Sequence, residues 1–147
     1  MKKIWLYLAS ATLLACQSSP QLSQKEQAKQ ALDQGIAAYN QQHYVQALDH
    51  FQQANQLGHM KAERYIGLSY LNGYGVAKDP NKAFTAFQSA ATKGDITSQY
   101  WLGYLYENGI GTTKNLTQAV SWYQKSATRT DHIGEPAREA LKRLNIQ

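Results

Sequence analysis

The 147-residue chain has a single cysteine, only three prolines, and no apolar run long enough to cross a bilayer. Cys16 has no second cysteine to pair with, which excludes a disulfide within the chain. The main apolar stretch, Ile4 to Ala15, is 12 residues long, whereas a spanning helix needs about 20. The four histidines, His43, His50, His59 and His132, lack ligand spacing to one another or to Cys, Asp or Glu, so no metal site is expected. Acidic residues are scattered singly, and no base, nucleophile and oxyanion device assemble, so no enzyme is expected. No cofactor is implied either. The Gly-x-Gly loops at Gly73 and Gly109 follow helical patterns and have no Lys-Ser/Thr pair, unlike a phosphate-cradling loop. The formal charge of +5 falls to +3 without Lys2 and Lys3, a bias too weak to point to nucleic acid.

What is present begins with an address. Met1-Lys2-Lys3 is a short positive region, the apolar run follows, and Leu13-Leu14-Ala15-Cys16 closes it. This segment resembles the signal and lipobox of bacterial lipoproteins, with Leu14 departing from the smaller residue usual at that place. The resemblance implies that residues 1–15 are a removed signal peptide. It further implies that Cys16 is acylated with palmitate-type chains and becomes the new N-terminus. Two or more chains, at about 0.8 kcal/mol per buried methylene, hold firmly where one binds reversibly. Gln17 after the cysteine, by the same resemblance, favours the outer membrane with the domain facing the periplasm. Residues 16–22, polar and containing Pro20, read as a lipidated tether.

The rest is organised by self-similarity. Gly103-Tyr-Leu-Tyr-Glu-Asn-Gly-Ile-Gly111 overlies Gly67-Leu-Ser-Tyr-Leu-Asn-Gly-Tyr-Gly75 at a shift of 36. Lys78 then falls on Lys114, Ala83 on Ala119, Phe87 on Tyr123 and Asp95 on Asp131. Such a period predicts a solenoid, in which no unit buries its apolar face alone. Helical spacing predicts an all-α fold. Ser23 and Glu26 form a capping box, and Ala28, Ala31, Leu32, Gly35 and Tyr39 make one stripe. Tyr44, Ala47, Leu48, Phe51 and Ala54 make the next, ended by Gly58. Gly73 and Gly109 are expected in the left-handed conformation at helix ends, and Asp79-Pro80 as a helix start. Tyr70, Phe84, Phe87, Tyr106, Trp122 and Tyr123 are core candidates.

Gly35, Ala47, Phe51 and Ala54 fall at the spacings of the tetratricopeptide motif. From Gly67 to Ala83 and from Gly103 to Ala119 the step is 16 rather than the 12 from Gly35 to Ala47, so four residues lengthen the loop. On Gly67, Tyr70, Gly73, Gly75, Asp79, Ala83 and Ala91, and on their second copies, the chain resembles the Sel-one-like repeat. The resemblance implies a solenoid of about three helix pairs plus a cap. It consists of a degenerate tetratricopeptide-like hairpin over 23–59, repeats over 60–95 and 96–131, and a capping helix over 132–147, where Ala137, Ala140, Leu141 and Leu144 form the apolar edge.

Tetratricopeptide offsets imply which side chains line the concave face. They give Lys29, Leu32, Ile36, Tyr39 and Asn40; Lys61, Arg64, Leu68, Leu71 and Asn72; and Thr97, Tyr100, Tyr104, Glu107 and Asn108. Packing between pairs accounts for Leu32, Ile36, Leu68 and Leu71. Among the rest, the partner-binding candidates are Lys29, Tyr39, Lys61, Arg64, Asn72, Tyr100, Tyr104 and Asn108, and the face as a whole suits an extended peptide with an acidic group or free carboxylate.

The expected function is a membrane-anchored interaction scaffold of the bacterial envelope, binding a partner protein or peptide. Two alternatives stay open, an immunity lipoprotein that neutralises a toxic effector and an envelope enzyme or small-ligand binder. The partner's identity and the oligomeric state are left open. Cys16→Ser should move the protein from the detergent phase to the aqueous phase in a phase-partition experiment; unchanged partitioning would remove the lipid anchor.

Overall fold

The computed structural model describes residues 21–146 as seven helices and no strand. They are α1 (Gln24–Asn40), α2 (Tyr44–Gln56), α3 (Ala62–Asn72), α4 (Pro80–Thr92), α5 (Ile96–Asn108), α6 (Leu116–Ala127) and α7 (Glu135–Arg143). The substantial packing joins each helix to the next in the chain, so the architecture is a stack of three hairpins closed by a seventh helix. None of the described helices is long and apolar enough to cross a membrane.

Local chemistry places the helix starts. Ser23 and Glu26 complete the capping box of α1, the serine N–H donating to Glu26 Oε2 at 2.8 Å. Asp79, Asp95 and Asn115 each accept the amide three residues on, at the heads of α4, α5 and α6. Such caps contribute about 1 kcal/mol each. At the other ends of α3 and α5, Gly73 and Gly109 take φ of 78° and 68°, and their N–H groups donate to Ser69 and Leu105. The long loops that follow are closed by one recurring bond. Asp79 N–H donates to Tyr70 O at 3.0 Å, and Asn115 N–H to Tyr106 O at 2.8 Å. The shorter α1–α2 turn has Gln42 in the left-handed region instead of a glycine.

Each hairpin is built around one ring. The helical glycines Gly35, Gly67 and Gly103 face Phe51, Phe87 and Tyr123, all three rings fully buried. A Cβ on those glycines would stand 2.6, 3.0 and 2.7 Å from the nearest ring carbons. Alanines at Ala47, Ala54, Ala83, Ala90 and Ala119 are also fully or almost fully buried, which lets the helices close around the rings. The loop glycines Gly75 and Gly111 allow the chain to turn, with φ of 73° and 67°, and serve a second purpose. Their Cα atoms lie against the carbonyls of Tyr44 and Pro80, so each long loop rests on the start of the preceding hairpin's second helix. Trp122 departs from its expected place in the core. It is partly exposed, with the Lys125 ammonium 3.9 Å above its ring, because Ala119, Tyr123 and Ser126 already form the inward face of α6.

The ends of the stack are polar where the middle is apolar. Aligned on the glycines, α3 places Ala62, Tyr65, Ile66 and Ser69 toward the preceding hairpin, and α5 places Ser98, Trp101, Leu102 and Leu105. At those positions α1 has the exposed Gln30, Asp33, Gln34 and Ala37. In α7 the glycine position is Glu139, so no further ring can seat there. The helix is instead fastened by charge. Arg143 donates to both carboxylate oxygens of Glu107 at 2.7 and 2.8 Å, and the buried Tyr123 hydroxyl donates to the same group at 2.7 Å. Burial and this bond push the phenol well above its usual range.

The Arg143 hydrogen bond, more than any other contact, lowers the Glu107 pKa below its ordinary 4.5. A carboxyl with a folded pKa below its unfolded one adds stability above the unfolded value, and loses it as pH falls through the folded one. Arg143→Met should therefore lower the urea midpoint at neutral pH, and the gap to the wild type should narrow below the carboxylate range. A gap of constant size would show that the clamp acts through packing alone.

Candidate functional site

Apart from Tyr39 and Cys16, the sequence-derived residues fall into two groups with the Arg64–Asp95 ion pair between them. The first group lies at the N-terminal end of the stack. Lys29, on α1, reaches Asp33 at 2.6 Å, with both side chains exposed. Lys61 immediately precedes α3 and is also exposed. Both line a cleft of about 940 Å³ between the first half of α1 and the α2–α3 connection. Ala28, Leu32, Leu57 and Met60 provide its apolar surface, and Lys25 and His59 complete the rim. Burial first, and Lys61 second, hold the His59 pKa below the ordinary histidine range.

Arg64 occupies the middle of the strip, and its guanidinium is already committed. Nη1 lies 3.1 Å from Asp95 Oδ1, across the boundary between the second and third hairpins. Asp95 is 6% exposed and also accepts from the Ser98 N–H at 2.9 Å and the Ser98 hydroxyl at 2.7 Å. A carboxylate buried this far requires a counter-charge, which Arg64 supplies. The expectation of a free cationic donor therefore does not describe Arg64 in the folded chain.

The second group is aromatic. Tyr100 and Tyr104 flank Trp101 on α5, with ring centroids 5.6 and 5.7 Å from it. Both are partly exposed, and Tyr104, like Leu68 and Leu71, packs against the buried cluster of Ala83, Phe87 and Leu105. Burial raises the Tyr100 pKa. Asn72 and Asn108 end their helices in matching fashion, each amide donating back to the carbonyl four residues earlier, Leu68 at 3.0 Å and Tyr104 at 2.8 Å. Both remain exposed. Tyr39 belongs elsewhere, in a cluster with Tyr44, Tyr65 and Tyr74 whose closest pair, Tyr44 and Tyr74, stacks at 4.4 Å. Cys16 lies outside the described residues. Among those residues no group of three or more His, Cys, Asp or Glu side chains is placed to hold a metal ion.

Three features were missed in the sequence. Trp101 supplies the ring between Tyr100 and Tyr104, and His59 and Met60 help build the cleft. For His59 a signal existed, since it stands 36 residues before Asp95, which itself stands 36 before Asp131.

A hairpin stack with glycine-seated rings and lengthened Gly-x-Gly loops has a family match. The Sel1 repeat model matches residues 30–59, 61–95 and 96–131. The chain belongs to the Sel1 repeat family. The first Sel1 match takes in the hairpin whose spacing had resembled a tetratricopeptide unit. The fold is similar to the crystal structure of a Sel1 repeat protein from Oxalobacter formigenes, with a TM-score of 0.72 and 29% identity over 80% of this chain and 48% of that one. It is also similar to a protective antigen of uropathogenic Escherichia coli strains displaying an SLR fold, at 0.70 and 27% over 82% of this chain and 28% of that one. Helicobacter pylori cysteine rich protein B shares the fold at 0.59 and 24%, over 80% of this chain and 96% of that one. The chain thus spans about half the length of the first of these and less of the second. No curated protein matches the chain. Sel1 repeats typically mediate protein–protein interaction, and Sel1 repeat proteins are generally non-enzymatic scaffolds.

Proposed function

We propose that this protein is a lipid-anchored interaction scaffold of the bacterial envelope, facing the periplasm from the outer membrane. It holds a segment of a partner polypeptide along the faces of α1, α3 and α5. The observation that carries the reading is the strip of exposed and half-exposed side chains that the repeat offsets assign to one face, with the half-exposed Tyr100 and Tyr104 at one end and the exposed Lys29 and Lys61 at the other. Tyrosines combine a large rigid surface with a polar tip, which suits them to bind a polypeptide at low entropic cost. Family membership supports a protein partner, and the sequence of residues 13–16 supports the anchor.

A photo-crosslinking amino acid at position 104 and another at position 61, introduced one at a time in intact bacteria, should capture the same partner. The same group at Gln124, on the outward side of α6, should not. Equal capture at all three positions, or none at 61 and 104, would contradict the assignment of the binding face.

A further inference from the structure

The repeats allow the protein to be compared with itself. At the junction of the second and third hairpins, Asp95 stands just after Gly94, and its N–H donates to Ala90 O at 3.0 Å. At the preceding junction, His59 stands just after Gly58, and its N–H donates to Ala54 O at 2.8 Å. The glycines have φ of 95° and 86°, so the two positions are structurally equivalent. Their surroundings differ in a consistent direction. Asp95 is held by Arg64 and Ser98, but at the earlier junction the corresponding residues are Leu32 and Ala62. One junction fills this place with its own buried carboxylate. The other has no carboxylate there, and the 940 Å³ cleft opens instead.

The charges around that cleft favour an acid. Lys25 and Lys61 form no ion pair among the described residues, and Lys29 adds a third cation shared with Asp33. The other rim carboxylate, Glu26, is engaged by the Ser23 N–H and hydroxyl. Leu32, Leu57 and Met60 lie beside these cations, Met60 with 45% of its surface exposed. We infer that the cleft docks a segment of the partner protein presenting an Asp or Glu carboxylate next to an apolar side chain. The incoming carboxylate takes the role at the first junction that Asp95 has at the second. Lys61 and Lys25 neutralise it, and its apolar neighbour covers Leu57 and Met60. His59 Nδ1 accepts the Lys61 N–H at 3.3 Å, so the neutral ring has Nε2–H left to donate. This inference rests on the interaction reading above and adds the chemistry of one contact.

The test uses the full-length chain and two blocked peptides, Ac-Gly-Leu-Asp-Leu-Gly-NH2 and its Asn counterpart, followed by NMR of the Met60 methyl and the His59 ring. The Asp peptide should bind about tenfold or more tightly than the Asn peptide, as expected for a charge-assisted contact. It should also move the His59 titration upward, opposing the effect of Lys61. Lys61→Gln should weaken this preference. His59→Asp should abolish it, since the cleft would then carry its own carboxylate beside Lys61 and Lys25. Equal binding of the two peptides would overturn the inference, as would undisturbed signals with both. So would phosphatidylglycerol vesicles shifting the Met60 and His59 signals while the Asp peptide does not. Specific crosslinking at position 104 together with a failed peptide preference would keep the interaction reading and remove the acid-docking cleft.

Discussion

The contact on which the stack depends is a ring lying on a bare backbone. Gly35, Gly67 and Gly103 each leave out one side chain at the middle of a helix, and Phe51, Phe87 and Tyr123 fill the space. Glycine inside a helix ordinarily costs about 0.5–1 kcal/mol relative to alanine. Here the cost is offset by the close approach it permits, because a fully buried ring gains attractive contacts from every neighbouring atom. Closing the helices around the ring fixes their separation. That separation sets where the next helix can pack, and the solenoid follows by repetition.

Once the hairpins are fixed, their junctions become the variable part. One set of repeat positions holds Leu32 and His59 at the first junction, Arg64 and Asp95 at the second, and Tyr100 and Asp131 at the third. The backbone is alike at the first two, yet one is an open apolar cleft rimmed by lysines and the other a buried ion pair. At the third, Asp131 pairs with Arg129 and accepts the Ile133 N–H, and α7 starts only at Glu135. The closing charge pair has moved to Glu107 and Arg143. A scaffold of this kind can acquire a binding site by omitting a closing interaction, with no change in its frame.

Much of the frame was legible because it is carried by residues whose conformational demands are local. The 36-residue period, the capping box at Ser23, the left-handed glycines at 73 and 109 and the helix start at Asp79 depend on near neighbours in the chain. The site was less legible because its electrostatics depend on neighbouring hairpins. Arg64 reads as a free cation until the stack sets Asp95, 31 residues away, against it. Glu107 reads as a concave-face residue until α7 brings Arg143 over it. Trp122 and Tyr123 are adjacent aromatics, and only the packing of α6 decides that Tyr123 points inward.

The central physical claim is that helix separation is set by a ring seated on a glycine, and a double-mutant cycle at Gly35 and Phe51 tests it most directly. Gly35→Ala alone should lower stability by about 1–3 kcal/mol, the cost of overpacking, against the usual small gain from replacing a helical glycine. In a Phe51→Leu background, where the ring is gone, that penalty should vanish or change sign. The same penalty with and without the ring would contradict the account.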